Sequence, residues 1–270
     1  MKKLTVVGIG PGAYEQMTIQ AAAALGAQAQ VIVGYTAYVD LVRDHFPDKR
    51  FCATPMTKEV ERCELAFQEA MAGQDVAVIC SGDAGVYGMS GLIYEVGQRY
   101  PQVEIAVVPG VTAALSGGAV LGAPLIHDFA VVSLSDRLTP WENIEKRLLA
   151  AAEADFVVCL YNPASRTRRD YLQRACALLL RFREPETVCG VVKNIGRAGQ
   201  ASQVCSLSRL GELEVDMFTT VFVGNSQTQE LDGHMVAPRG ISALGQALIF
   251  PAPATAAAAG RLPGSAGDGG

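Results

Sequence analysis

The residues best placed to act on a ligand stand where apolar runs stop. Val76-Ala-Val-Ile79 reads as a buried strand, and Cys80 to Gly91 (CSGDAGVYGMSG) follows it. This stretch sets Ser81, Gly82, Ala84, Gly85 and Gly88 around one carboxylate, Asp83. With few Cβ atoms in the way, a ligand can approach the backbone closely, and Asp83 could accept from a hydroxyl or an amino group. A second strand end, Pro109-Gly-Val-Thr-Ala113, carries Thr112, which could cap a helix or bond a ligand. A third, Gly8-Ile-Gly-Pro-Gly-Ala13, loosely fits a dinucleotide fingerprint. That fingerprint wants an acid at the end of the second strand, yet Val33-Gly34-Tyr35 has none, and Pro11 removes a backbone donor. A P-loop is excluded, because no G-K-[ST] occurs. Together these loops describe a site of polar backbone with almost no strong nucleophile. It suits a nucleoside-like ligand better than it suits hydrolysis.

Other chemistry is sparse. The three histidines, His45, His127 and His234, are far apart, and neither G-x-S-x-G nor H-E-x-x-H is present. His127-Asp128 could reach a cleft or could be a hydrogen-bonded hinge. A basic group follows in the second half: Arg166, Arg168, Arg169, Lys193 and Arg197. The first three are expected to start a helix, where the dipole disfavours cations. Either an anionic ligand compensates them or they form a solvated face. Cations in a chain of net charge −5 would suit a polycarboxylate, since arginine pairs with carboxylates bidentately.

The elements that must position these loops alternate. Strands are expected at Leu4–Ile9, Val31–Val33, Val76–Cys80 and Val103–Val108. Helices are expected at Glu15–Gln28, Met56–Met71 with Thr57 as N-cap, and Gly91–Arg99, then from the Pro109 loop to Leu121. That alternation implies an α/β fold with a mainly parallel first sheet. Gly122 to Asp128 reads as a linker, because Pro124 blocks helix continuation. Beyond it come strands Phe129–Leu134, Phe156–Leu160, Val188–Val192, Gln203–Leu207 and Met217–Val223, with helices from Thr139-Pro140-Trp141 to Ala152 and from Thr167 to Arg181. Their closer succession implies a mixed second sheet. The expected division is a domain over 1–123, a second over 124–241, and a disordered Ala/Pro/Gly-rich tail over 242–270.

The 270 residues are 50% hydrophobic and 18% charged, enough for a full core without disulfides. The acidic balance argues against nucleic acid. No apolar run nears the roughly 20 residues that span a bilayer, and the N-terminus does not read as a signal peptide. The seven cysteines lack C-x-x-C spacing, so they read as reduced thiols of a cytoplasmic protein with no metal site.

Gly8-Ile-Gly-Pro-Gly12, Ser81-Gly-Asp-Ala-Gly85, Pro109-Gly-Val-Thr-Ala113 and Val221-Phe-Val-Gly-Asn-Ser226 together resemble the tetrapyrrole (corrin/porphyrin) methylase family. The resemblance covers about residues 1 to 241. Gly34-Tyr-Thr-Ala-Tyr38, Gly122-Ala-Pro-Leu-Ile-His-Asp-Phe129, Ser133-Leu-Ser-Asp136, Leu160-Tyr-Asn-Pro163 and Gly190-Val-Val-Lys193 look most like its ring-contracting C17-methyltransferases. These act on precorrin-3B or its cobalt form, and the cobalt branch is the nearer. A methylase for C11 or C20 is the alternative, as is a non-catalytic binder of the same ligands.

The resemblance implies the two-domain class III methyltransferase fold, usually a homodimer, with S-adenosylmethionine in the cleft and a tetrapyrrole as partner. It places Pro11, Ser81, Gly82, Asp83, Val86, Thr112, Ala113, Tyr161 and Val191 at the cofactor. It leaves His127, Ser133, Asp136, Lys193 and Tyr35 as candidates for proton handling and ring contraction. Tyr35 is among them because some relatives carry an aspartate in a Tyr-Asp-Arg motif where this chain has Gly34-Tyr35-Thr36.

Overall fold

The computed structural model describes residues 2–165 and 167–239. Five strands, β1 (Lys2–Gly8), β2 (Val31–Tyr35), β3 (Arg50–Thr54), β4 (Val76–Cys80) and β5 (Val103–Val108), form a sheet in the order β3-β2-β4-β1-β5. Every neighbouring pair is parallel. All their carboxyl ends therefore meet one edge, as the alternation of elements requires. β4 is apolar and buried throughout, and β1 and β2 are buried over Leu4–Gly8 and Val31–Gly34, because both faces are covered. Leu4, Val6, Val33 and Val78 face a cluster with Phe67 and Ile93; Val7, Ile32 and Ile79 face Leu25 and Val39 on the other side.

The helices α1 (Ile19–Ala23), α2 (Thr36–Val42), α3 (Glu59–Met71), α4 (Ser90–Gly97) and α5 (Ala113–Leu121) punctuate the first half. Several bounds differ from the sequence expectation. α1 begins only after Thr18, whose hydroxyl caps it by accepting from Ala21 N–H at 3.0 Å. Thr57 is no cap: its φ is +72°, and α3 starts two residues later. β3 and α2 were not expected; β3 is a partly exposed edge strand with an arginine at its start, so it lacks the apolar signature of its neighbours.

After β6 (Gly122–Ala123), the strands β7 (Phe129–Ser133), β8 (Val157–Tyr161), β9 (Val188–Lys193), β10 (Ala201–Ser206) and β11 (Thr219–Val223) form a second sheet, order β10-β9-β11-β8-β7. Only β7 and β8 are parallel, so this sheet is mixed. The helices α6 (Trp141–Glu153), α7 (Tyr171–Leu179) and α8 (Leu207–Leu210) cover one face. α5 covers the other, bringing Ala114 and Leu121 against Cys159, Val192 and Phe222. Thus a helix that follows the first sheet in the chain packs on the second. The contact is tight: a Cβ on Gly190 would lie 2.4 Å from Leu121. The expected linker opens with β6, which pairs with β13 (His234–Val236), itself hairpinned to β12 (Gln229–Leu231). α7 begins at Tyr171 with Asp170 as N-cap, so Arg168 and Arg169 precede the helix rather than starting it; Arg166 lies outside the described residues. The expected tail lies outside the described residues.

The edge where β1, β4 and β5 end is built backbone against backbone. Gly10 and Gly82 exchange two bonds, Gly10 N–H to Gly82 O at 3.0 Å and Gly82 N–H to Gly10 O at 2.7 Å. A Cβ on Gly110 would sit 2.1 Å from Gly82 O and 2.5 Å from Gly8 O, so no larger residue fits without moving a loop. Gly110→Ala is expected to cost about 1–3 kcal/mol, the scale of core overpacking, read as a lower urea midpoint. An unchanged midpoint would remove this constraint.

All seven cysteines are free, and five of them are buried. Burial pushes the thiols of Cys63, Cys159 and Cys176 up to about 12 and that of Cys80 to about 11. A thiol reagent at pH 8 is therefore expected to modify at most the half-buried Cys52 and Cys205 in native protein, and all seven in denaturant. Intact-mass counting checks this, and rapid native labelling of Cys80 would contradict it.

Candidate functional site

The carboxyl edge of the first sheet faces the second sheet across a cleft. Pro11, Ser81, Gly82, Val86, Thr112, Ala113 and Tyr161 all line it. Seven of the nine residues expected at a cofactor are thereby brought together. Asp83 stands just behind them. Its Oδ1 accepts from Gly85 N–H at 2.7 Å and Val86 N–H at 3.1 Å, and its Oδ2 accepts from Gly110 N–H at 2.9 Å. One carboxylate thus shapes its own loop and ties it to the next, which is the work of a loop-fixing acceptor. Val191 is not brought into the cleft. On β9, alternation turns its side chain towards the cluster under α6 and α7, while Val192 faces α5.

Two tyrosines join the halves across the cleft. The Tyr161 hydroxyl, from the end of β8, lies 2.6 Å from Thr112 Oγ1 and accepts from Ala114 N–H at 2.6 Å. Thr112 occupies the N-cap position of α5, but its side chain makes no cap bond; Tyr161 serves the open helix terminus from the opposite wall. Burial pushes the Tyr161 phenol up, so it stays neutral. Tyr87 spans the other way. Its hydroxyl donates to Val131 O and accepts from Ser133 N–H, both at 3.1 Å, on edge strand β7. Tyr87 has a φ of +53°, and its ring lies 5.6 Å from that of Tyr161.

The five catalytic candidates do not form one group. Ser133 is nearest the cleft, through its Oγ, which accepts from Asn162 Nδ2 at 2.9 Å, and Asn162 lines the cleft. Lys193 stands at the rim, 2.7 Å from Asp216. Tyr35 lies behind Tyr38, the two rings edge-on at 5.1 Å. Asp136 is held by Arg168 and by the Tyr171 hydroxyl. The Tyr171 bond, helped by the Arg168 charge, keeps its carboxyl below the usual range. His127 precedes β7 at the end of that strand opposite Ser133, and its Nδ1 accepts from Asp128 N–H at 2.8 Å. The parallel pairing of β7 with β8 sends that end away from the cleft.

Sequence reasoning did not single out Tyr38, Tyr87 or Phe218 individually, all of which line the cleft. Tyr87 lay within the glycine-rich stretch, but nothing local shows that it reaches β7. Among the described residues no group of three His, Cys, Asp or Glu could hold a metal, and no helix is long and apolar enough to cross a membrane.

The family model for Tetrapyrrole (Corrin/Porphyrin) Methylases matches residues 3–211. A probable cobalt-factor III C(17)-methyltransferase of Salmonella typhimurium is 48% identical over 238 residues, covering 88% of this chain and 98% of that protein. A cobalt-factor III methyltransferase of Priestia megaterium is 45% identical over 243 residues; the match covers 88% of this chain and 45% of that longer protein. The crystal structure of the methyltransferase CobJ superposes with a TM-score of 0.81 at 36% identity, covering 88% of this chain and all of that one.

Tyr161→Phe would leave Ala114 N–H and the Thr112 hydroxyl without their shared partner. A loss of about 1–3 kcal/mol is expected, the usual cost of an unsatisfied polar group, measured by urea unfolding. A variant as stable as the parent would show that the tyrosine does not tie the halves together.

Proposed function

The chain belongs to the tetrapyrrole (corrin/porphyrin) methylase family, and from that premise we propose that it is a C17-methyltransferase of cobalamin biosynthesis. It moves a methyl group from S-adenosylmethionine to C17 of cobalt-factor III or the related precorrin-3B and promotes ring contraction. The observation that carries this reading is the 48% identity to the Salmonella protein, which spans nearly the whole of that relative. The cleft agrees with it.

S-adenosylmethionine supplies an electrophilic methyl group, so the protein needs no activated nucleophile. What it must do is align two ligands, an effect worth up to about 7–11 kcal/mol. The glycine loops suit that task. At Gly82, with a φ of +68°, a Cβ would lie 3.6 Å from the Thr112 Cα, filling the gap between two loops that line the cleft. The sequence carries no G-K-[ST] phosphate motif, which fits a cofactor without phosphate. Asp83 holds the loops, and the Tyr161–Thr112 pair holds the opposite wall to them.

Ring contraction also requires a proton to move and an oxygen to be polarised. We assign the positioning of a substrate oxygen to the Ser133–Asn162 pair, with Lys193 as a rim cation; Tyr35 acts through Tyr38. Asp136 and His127 take supporting places outside the cleft. The halves 1–123 and 124–241 work as domains closing on both ligands, in a cytoplasmic homodimer.

Purified protein given S-adenosylmethionine and cobalt-factor III is expected to return a tetrapyrrole heavier by one methyl group, with labelled methyl at C17 by NMR. Absence of the methyl gain would refute the activity, and label at another carbon would refute the position.

A further inference from the structure

Among the described residues, Arg197 is the one charged side chain lining the cleft. It reaches from the turn after β9 to the opposite wall, donating from Nε to Pro11 O at 2.9 Å and from Nη2 to Ser81 Oγ at 2.8 Å. Its stem is packed so closely that a Cβ on Gly12 would lie 2.4 Å from its Cγ. The turn that presents it is fixed by Gly196, with a φ of +67°, and by Arg197 N–H donating to Asn194 O at 3.0 Å. The guanidinium stacks over Phe218 at 5.6 Å. This is a firmly aimed cation.

Its charge is not answered within the described residues. No carboxylate pairs with it, and Nη1 has no acceptor. A guanidinium carries five N–H donors, and only two are used here. The other enclosed arginines differ. Arg183 bonds three carbonyl oxygens and lies 3.0 Å from Asp155. Arg62 has no carboxylate either, but all three of its nitrogens have protein partners and it is outside the cleft. Tyr38 lines the same cleft, and its hydroxyl makes no hydrogen bond among the described residues. Burial pushes its phenol up, against the pull of the Arg197 charge, so it remains a donor.

The geometry points to a carboxylate subsite in the cleft, formed by the Arg197 guanidinium with the Tyr38 hydroxyl beside it. A partly desolvated cation with free donors gains most from an anion that accepts in the fork geometry, and a carboxylate does so. The subsite rests on the methyltransferase reading, in which both ligands bring carboxylates: the amino-acid end of the cofactor and the acid side chains around the tetrapyrrole. Lysine would keep the charge but lose the fork.

Equilibrium binding of three probes separates the sources. These are S-adenosylhomocysteine, 5′-methylthioadenosine (the same nucleoside without the amino acid) and cobalt-factor III. Arg197→Gln is expected to weaken one carboxylate-bearing probe by about 10- to 100-fold, the effect of a charged hydrogen bond, and to leave methylthioadenosine unchanged. Tyr38→Phe is expected to weaken the same probe by about 3- to 10-fold, and Arg197→Lys to recover part of the loss. Selective loss of adenosylhomocysteine assigns the subsite to the cofactor, and selective loss of cobalt-factor III assigns it to the tetrapyrrole. If Arg197→Gln leaves all three affinities intact, or lowers all three alike, Arg197 is an interdomain tie only and the subsite is refuted. Parent protein that binds neither carboxylate probe refutes instead the reading on which the subsite rests.

Discussion

Everything at the cleft depends on three strand ends lying closer than side chains allow. Gly8 and Gly110 lie against each other and against the carbonyl of Gly82, at distances where a Cβ on either would fall inside a carbonyl or an amide. Glycine's lack of a Cβ is a condition of packing at Gly8 and Gly110, and of the backbone turn at Gly82, whose φ is +68°. Asp83 then converts proximity into fixed geometry by accepting from amides of two loops at once. Because the sheet is parallel, the same edge collects all these ends, and a polar floor of backbone with the Ser81 and Thr112 hydroxyls results.

The opposite wall is held by reciprocal borrowing. The N-terminus of α5 takes its acceptor from Tyr161 of the second sheet, while the edge of the second sheet takes a hydroxyl from Tyr87 of the first half. α5 itself packs on the second sheet. The halves are thus interleaved at the site, and neither completes its own hydrogen bonding alone. Arg197 adds a third crossing, and it differs in kind, since it brings a charge that no carboxylate among the described residues answers.

Much of this was legible in the chain. Apolar runs such as Val76–Cys80 and Val31–Val33 declare buried strands, and the small residues that follow declare loops that admit close approach. Where both cues agree, the strands fall as expected and the loops that follow them meet at one cleft. Reading failed where a residue's role is set by a distant partner. Thr112 looks like a cap, yet its cap bond is made by a tyrosine distant in sequence. Arg168 looks like a cation misplaced on a helix, yet it precedes the helix and meets Asp136. Val191 sits in a matching motif, but strand alternation turns it to the far face. β3 escaped notice because an edge strand is solvated and lacks an apolar run.

The Tyr87 contact reaches beyond the cleft. β7 is an outer strand of its sheet, and Phe129 on it is exposed. An unguarded outer strand offers its amides and carbonyls to any chain that can extend alongside. By occupying Val131 O and Ser133 N–H with a single hydroxyl, Tyr87 blocks that template at those two groups. The glycine-rich loop therefore carries a second duty, keeping the molecule from zipping onto its neighbours. Selection on Tyr87 would act through solubility as well as through turnover.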